Sequence, residues 1–292
     1  MKDRKRGILC MLGAAVFFSC MDSLVHLAGD LPAMQKLFFR NLIALFITSV
    51  LLYRKRLPPK VPRAHWKPLF LRCLFGTLCI GLEFYAIDHM LLADAVTLNK
   101  MAPFFAVVFS AFLLKEKVFP PQILLLCTAL GGCMCILRPS LEGFASPVAL
   151  IGLASGVCAG FAYTEVRVLG TRQVPQQVII FYFSAFSCLA SLPTVLFRYT
   201  PMTPRQLSIL FLIGLLGMAG QFSITAAYCY APAKEVSVYD YSQIFFTALL
   251  GFLLFRQLPD GLSVLGYIII ASSAILMTLY NLRRDKSLSP ST

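Results

Sequence analysis

Residues 93–114 read ADAVTLNKMAPFFAVVFSAFLL, and residues 233–254 read AKEVSVYDYSQIFFTALLGFLL. Each is an apolar run of the length that crosses a bilayer as one helix, about 20 residues at about 1.5 Å each. Lys100 interrupts the first. An ammonium near the bilayer centre costs about 2.5–3.5 kcal/mol, so this one is expected to face protein or water. Pro103 follows three residues on. It has no N–H to donate and clashes with the carbonyl four residues back, which frees the C=O of Asn99 beside the lysine. Shifting the numbering by 140 lays the second stretch on the first, and Asp240 falls on Lys100. The rest of the chain is organised around this duplicated span with opposite charges at its matched position.

Of the 292 residues, 58% are hydrophobic and 13% charged, and the mean hydropathy is +0.77. A soluble domain is nearer half apolar and a quarter charged, so this is an integral membrane protein. The net charge of +13 does not point to nucleic acid, because the basic residues sit in short loops between apolar runs, where topology explains them. The ten cysteines lie mostly within apolar runs without a disulfide framework or CxxC pair, and are read as small packing residues. The N-terminus has a basic start and a long apolar run from Gly7, followed at once by a second run. It is therefore expected to be a first span rather than a signal peptide.

Ten spans can be placed, at 7–29, 33–53, 68–88, 93–114, 119–137, 147–169, 176–197, 206–230, 233–255 and 261–281. An even number puts both termini on one side. If that side is cytoplasmic, inner segments carry 17 Lys or Arg and outer segments 4, six of the inner ones in the linker 54–67. The positive-inside rule thus predicts cytoplasmic termini. At offset 140, Ala86 matches Ala226, Val96 matches Val236 and Phe112-Leu113-Leu114 matches Phe252-Leu253-Leu254; the first spans of each half align at offset 141. Residues 1–140 and 141–292 are expected to form two five-helix units. Five is odd, so the second unit enters the membrane inverted, as in many secondary transporters.

On these features the chain resembles the drug/metabolite transporter superfamily in its EamA branch. The resemblance rests on the two five-helix halves and a fourth span ending Leu113-Leu114-Lys115-Glu116. More narrowly it resembles the subgroup of S-adenosylmethionine uptake proteins and the G members of solute carrier family 35. Met21-Asp22, Phe38-Phe39-Arg40 and the run from Val238 to Gln243 carry that likeness. The resemblance implies an all-α transporter working by alternating access, in a bacterial inner (plasma) membrane, with no cofactor.

Counting about 1.5 Å per residue from each span's midpoint places Asp22, Arg40, Glu83 and Lys100 roughly 5–8 Å outward of the midplane. Asp240 falls a similar distance inward, with Glu165 and Arg167 nearer the cytoplasmic edge. Each half thus supplies one charged layer, as alternating access requires. The competing reading is that Arg40 with Asp22, and Lys100 with Asp240, are structural pairs. A carboxyl group in an apolar site can hold its proton towards neutral pH, which makes Glu83, with Asp22, Arg40 and Glu165, a candidate for gating or proton coupling. Asn99, Lys100, Glu83, Tyr163, Tyr239, Asp240, Tyr241 and Gln243 are the candidate substrate-binding residues. Arg72 reads as a snorkelling anchor. His26, one turn after Asp22, would need further ligands to form a metal site, and none is expected. The stripe Gly152, Gly156, Gly160 reads as helix packing.

The expected function is secondary transport of a small polar metabolite, a zwitterion or organic anion such as an amino acid, a carboxylate or S-adenosylmethionine. No Walker motif appears, which argues against direct ATP drive. The alternatives from other classes are a non-transporting sensor or scaffold and a lipid-handling protein. The latter would want a nucleophile or paired carboxylates near one surface, and the chain has no such constellation. Membrane lipid and a small molecule are the only partners expected; nucleic acid is not.

Overall fold

The computed structural model of the chain describes residues 2–28, 31–89, 92–138, 147–255 and 261–288. Its helices are α1 (Lys2–Leu27), α2 (Ala33–Arg54), α3 (Trp66–His89), α4 (Leu92–Asn99), α5 (Ala102–Leu113) and α6 (Pro120–Leu137) in the first half. The second half holds α7 (Pro147–Thr171), α8 (Gln176–Phe197), α9 (Pro204–Tyr230), α10 (Ala233–Val236), α11 (Ser242–Phe255) and α12 (Gly261–Leu288). Proline punctuates the starts. Pro32, Pro175 and Pro232 cap α2, α8 and α10, while Pro120 and Pro204 sit in the first turns of α6 and α9, where a missing N–H costs nothing.

Among the described residues, eight spans are long and apolar enough to cross a membrane. The other two expected crossings are α3, which carries Arg72 and Glu83, and residues 233–255. The latter is not the single helix expected from its hydropathy. Residues Ser237–Tyr241 form a 3-10 turn between α10 and α11. Val236, Ser237, Val238, Tyr239 and Asp240 are all weak helix formers, so no proline is needed to break the run there. The fourth span is broken too, between Asn99 and Ala102. Pro103 falls in the first turn of α5.

Packing follows an exchange of the two halves. The pair α1–α9 is matched by α7–α3, and α1–α11 by α7–α5, while α2 packs on α8 and α6 on α12. A Cβ at Gly7 would lie 2.9 Å from the Ala231 Cβ, and one at Gly170 2.7 Å from the Cys229 Cα. The start of α1 and the end of α7 therefore meet the same end of α9, so the first helices of the two halves run in opposite directions. The glycine stripe of α7 makes the centre possible. A Cβ at Gly156 would sit 2.6 Å from the Leu98 carbonyl oxygen, and one at Gly160 2.8 Å from that of Ala102. Only bare backbone lets α7 press this closely on the broken fourth span.

Candidate functional site

The two interrupted spans meet at their breaks. Lys100 Nζ lies 3.6 Å from Asp240 Oδ2, with the two side chains 12% and 9% exposed. The same ammonium donates to Gln243 Oε1 at 2.7 Å, and Gln243 Nε2 donates to Asp22 Oδ2 at 2.9 Å. Ser19 Oγ holds the Gln243 main chain by donating to its carbonyl at 2.9 Å. One polar chain thus links α1, both helix breaks and the start of α11. Burying such a pair is costly unless further hydrogen bonds satisfy it, and here Gln243 supplies one.

Around this chain the outer layer holds charged groups that form no ion pair with one another among the described residues. Asp22 is exposed, although it lies on a helix packed against α9 and α11. The structural pair Asp22–Arg40 of the competing reading is not among the ion pairs of the described residues; the Asp22 carboxylate accepts from Gln243 Nε2. The Arg40 guanidinium lies 5.8 Å from the Phe18 ring centre. Glu83 makes no hydrogen bond or ion pair among the described residues, but the charges of Asp22, Lys100 and Arg40 all act on it. The four residues expected in one layer share one neighbourhood.

The remaining candidates divide. Asn99 Nδ2 donates to Ser155 Oγ at 3.2 Å, which ties the break to α7. Tyr163 stacks on Tyr228, with ring centres 5.0 Å apart. Tyr239 points away from the charged chain, its hydroxyl engaging Thr278 and the Ala274 carbonyl of α12. Tyr241 is fully buried and its hydroxyl has no partner among the described residues. Glu165 is 3% exposed, and the charges acting on it are those of Arg172 and Lys67, neither of which belongs to the central chain. The His26 side chain lies outside the described residues, among which no three His, Cys, Asp or Glu side chains cluster as metal ligands would.

Arg72 does not snorkel. It is 3% exposed, and its guanidinium folds along α3 to lie 4.3 Å from the Phe183 ring centre. Residues near one end of a span are expected to reach that end, but Gly76 leaves a notch that draws the side chain inward.

Sequence reasoning also missed how one end of the bundle is tied. Arg4 Nε sits 3.2 Å from Glu235 Oε2, and Arg167 Nε 3.2 Å from Glu116 Oε1. Arg167 Nη1 further donates to the Cys229 carbonyl at 3.1 Å, and the Arg284 guanidinium lies 3.6 Å from the Phe119 ring centre. These contacts join the start of α1 to that of α10, and the ends of α5, α7, α9 and α12, all on the N-terminal side. Arg4, Glu116 and Arg284 stand outside the expected spans, and Glu235 and Arg167 at the ends of theirs, so their sequence context looks like an ordinary solvated boundary.

Comparison with known proteins agrees with this architecture. The model of the EamA-like transporter family matches twice, over residues 5–138 and 146–279. The pseudopaline exporter of Pseudomonas aeruginosa is 33% identical over 276 residues, covering 94% of this chain and 96% of that one. Human solute carrier family 35 member G1 is 25% identical over 287 residues, covering 92% and 78%. A solved crystal structure superposes with a TM-score of 0.82 over 94% of this chain and 98% of the other; at 19% identity this concerns the fold alone. With the family model spanning both halves, the chain belongs to the EamA-like transporter family, as a multi-pass membrane protein that transports rather than catalyses.

Proposed function

We propose that this protein is a secondary transporter of a small polar metabolite, a zwitterion or organic anion, moved by alternating access. One observation carries the reading. The interrupted fourth and ninth spans bring Lys100, Asp240, Gln243 and Asp22 into one chain, beside Glu83 and Arg40, which form no hydrogen bond or ion pair among the described residues. Ionised groups inside a membrane are expensive and persist where they serve a solute or ion. Broken helices at the interface of two inverted units are where secondary carriers bind.

In this reading the ion pairs Arg4–Glu235 and Glu116–Arg167 close the N-terminal side, and the exposed Asp22 marks the access route from the other. With the termini in the cytoplasm, that is an outward-facing state. The pseudopaline exporter's name supports a metabolite as cargo and export as a direction to test.

The test is flux. Purified protein in liposomes is loaded on one side with labelled amino acids, carboxylates or S-adenosylmethionine, with and without a proton gradient. Saturable movement of one of these, lost in Lys100→Ala or Asp240→Ala protein that remains folded, is the expected result. Ligand binding without any movement would assign the protein to the sensors instead. Reporter fusions at both termini check the orientation.

A further inference from the structure

Arg72, Arg40 and Tyr163 each bring into the bundle a hydrogen-bond donor for which the described residues supply no acceptor. Arg72 is 3% exposed, its Nε has no partner, and no carboxylate of the described residues forms an ion pair with it. Its guanidinium fills the notch at Gly76, where a Cβ would collide with Nη1. Arg40 repeats the arrangement: its Nε lies 2.7 Å from the place a Cβ of Gly217 would occupy. Gly76 and Gly217 are 141 residues apart, the offset at which the first spans of the two halves align. Each unit therefore carries a glycine notch near the middle of its third helix, and each notch houses a guanidinium. The third donor is the Tyr163 hydroxyl, which makes no hydrogen bond among the described residues. Tyr163 acts electrostatically on both guanidinium groups, and Arg72 acts on Arg40.

A guanidinium has five donors, no acceptor and a permanent charge. Burying it without a counter-charge is unfavourable, and the Phe183 ring recovers only part of the loss. Its planar fork matches a carboxylate with two parallel hydrogen bonds. The surrounding charge narrows the choice of anion. Lys100 and Asp240 cancel one another, and by count alone the two guanidinium groups equal Glu83 and Asp22 in charge, with no ion pair between them among the described residues. A singly charged carboxylate carried beside an ammonium group keeps the site neutral, whereas a phosphate dianion does not.

We infer that Arg40, Arg72 and Tyr163 form the subsite for the carboxylate of an amino-acid-like substrate, whose ammonium group goes to Glu83 and Asp22. The inference rests on the transporter reading. The full-length protein is purified and screened by thermal shift against L-alanine, L-methionine, L-glutamate and S-adenosylmethionine, each paired with its carboxamide. At least one free acid raises the melting temperature, and its amide binds ten-fold or more weaker. Arg72→Gln and Arg40→Gln each lower affinity for the acid at least ten-fold and leave the amide within two-fold, while Arg72→Lys recovers part. Size-exclusion profiles confirm that the variants are folded; since each removes a buried charge, folding is expected. Equal binding of acid and amide, or an Arg72→Gln protein with unchanged affinity, overturns the subsite. In liposomes, flux restricted to carboxyl-free solutes overturns the subsite and leaves the transporter standing. Absence of flux for every probe overturns both.

Discussion

Lys100→Met isolates the central ion pair. Lys100 holds two acceptors, Asp240 Oδ2 at 3.6 Å and Gln243 Oε1 at 2.7 Å, and both side chains of the pair are about nine-tenths buried. Removing the lysine leaves Asp240 as an uncompensated charge in the bundle, which costs about 3–5 kcal/mol for a buried pair. Asp240→Asn leaves the ammonium still bonded to Gln243, so its cost lies at the lower end of that range. The double variant Lys100→Met/Asp240→Asn removes both charges, and replacing a buried pair outright is often neutral. It should therefore recover most of the lost stability, so that the double variant costs less than either single variant and far less than their sum. Unfolding of the detergent-solubilised protein measures stability, and flux in liposomes is measured on the same four proteins. Stability returning in the double variant without transport identifies a pair that serves the cargo. Transport returning with stability would make the pair a scaffold and refute the reasoning, as would single variants that cost less than about 1 kcal/mol.

Gly160→Ala places a Cβ 2.5 Å from the Phe105 Cβ and 2.8 Å from the Ala102 carbonyl oxygen. Overpacking of about 1–3 kcal/mol should outweigh a helix-propensity gain of about 1 kcal/mol, lowering the melting temperature and the flux together. Arg167→Ala breaks the bonds to Glu116 and to the Cys229 carbonyl. Cys229 should then react faster with a membrane-permeant maleimide, read peptide by peptide in a mass spectrometer; an unchanged rate would deny this contact a closing role. Asn281→Ala strands the buried Gln122 amide, which donates to Asn281 Oδ1 at 2.8 Å. The expected loss is about 1–3 kcal/mol, checked by unfolding with flux as a control.

Much of this molecule could be read before any coordinates. Hydropathy reports where a chain must leave water, because each span satisfies its own backbone hydrogen bonds and needs no partner to be recognised. The offset of 140 brought Lys100 and Asp240 together on paper, and they are in contact in the fold. The stripe of Gly152, Gly156 and Gly160 declared a close helix contact. It could not declare that the contact is with the broken span.

What stayed hidden depended on direction rather than position. Tyr239 and Asp240 are neighbours in sequence, yet in the 3-10 turn one reaches α12 and the other Lys100. Hydropathy marks residues 233–255 as one span, while weak helix propensity at their centre breaks it. Arg72 sits where a side chain normally reaches for the interface, and Gly76 turned it inward. Sequence alone thus established the membrane class, the ten crossings, the duplication and the residues carrying charge into the bilayer, all of which follow from local transfer energies and chain periodicity. Tertiary structure alone decided which charges pair, which remain without partners and which end of the bundle is tied. Those outcomes turn on ångström-scale approaches between helices distant in sequence, where a missing Cβ decides whether a guanidinium fits.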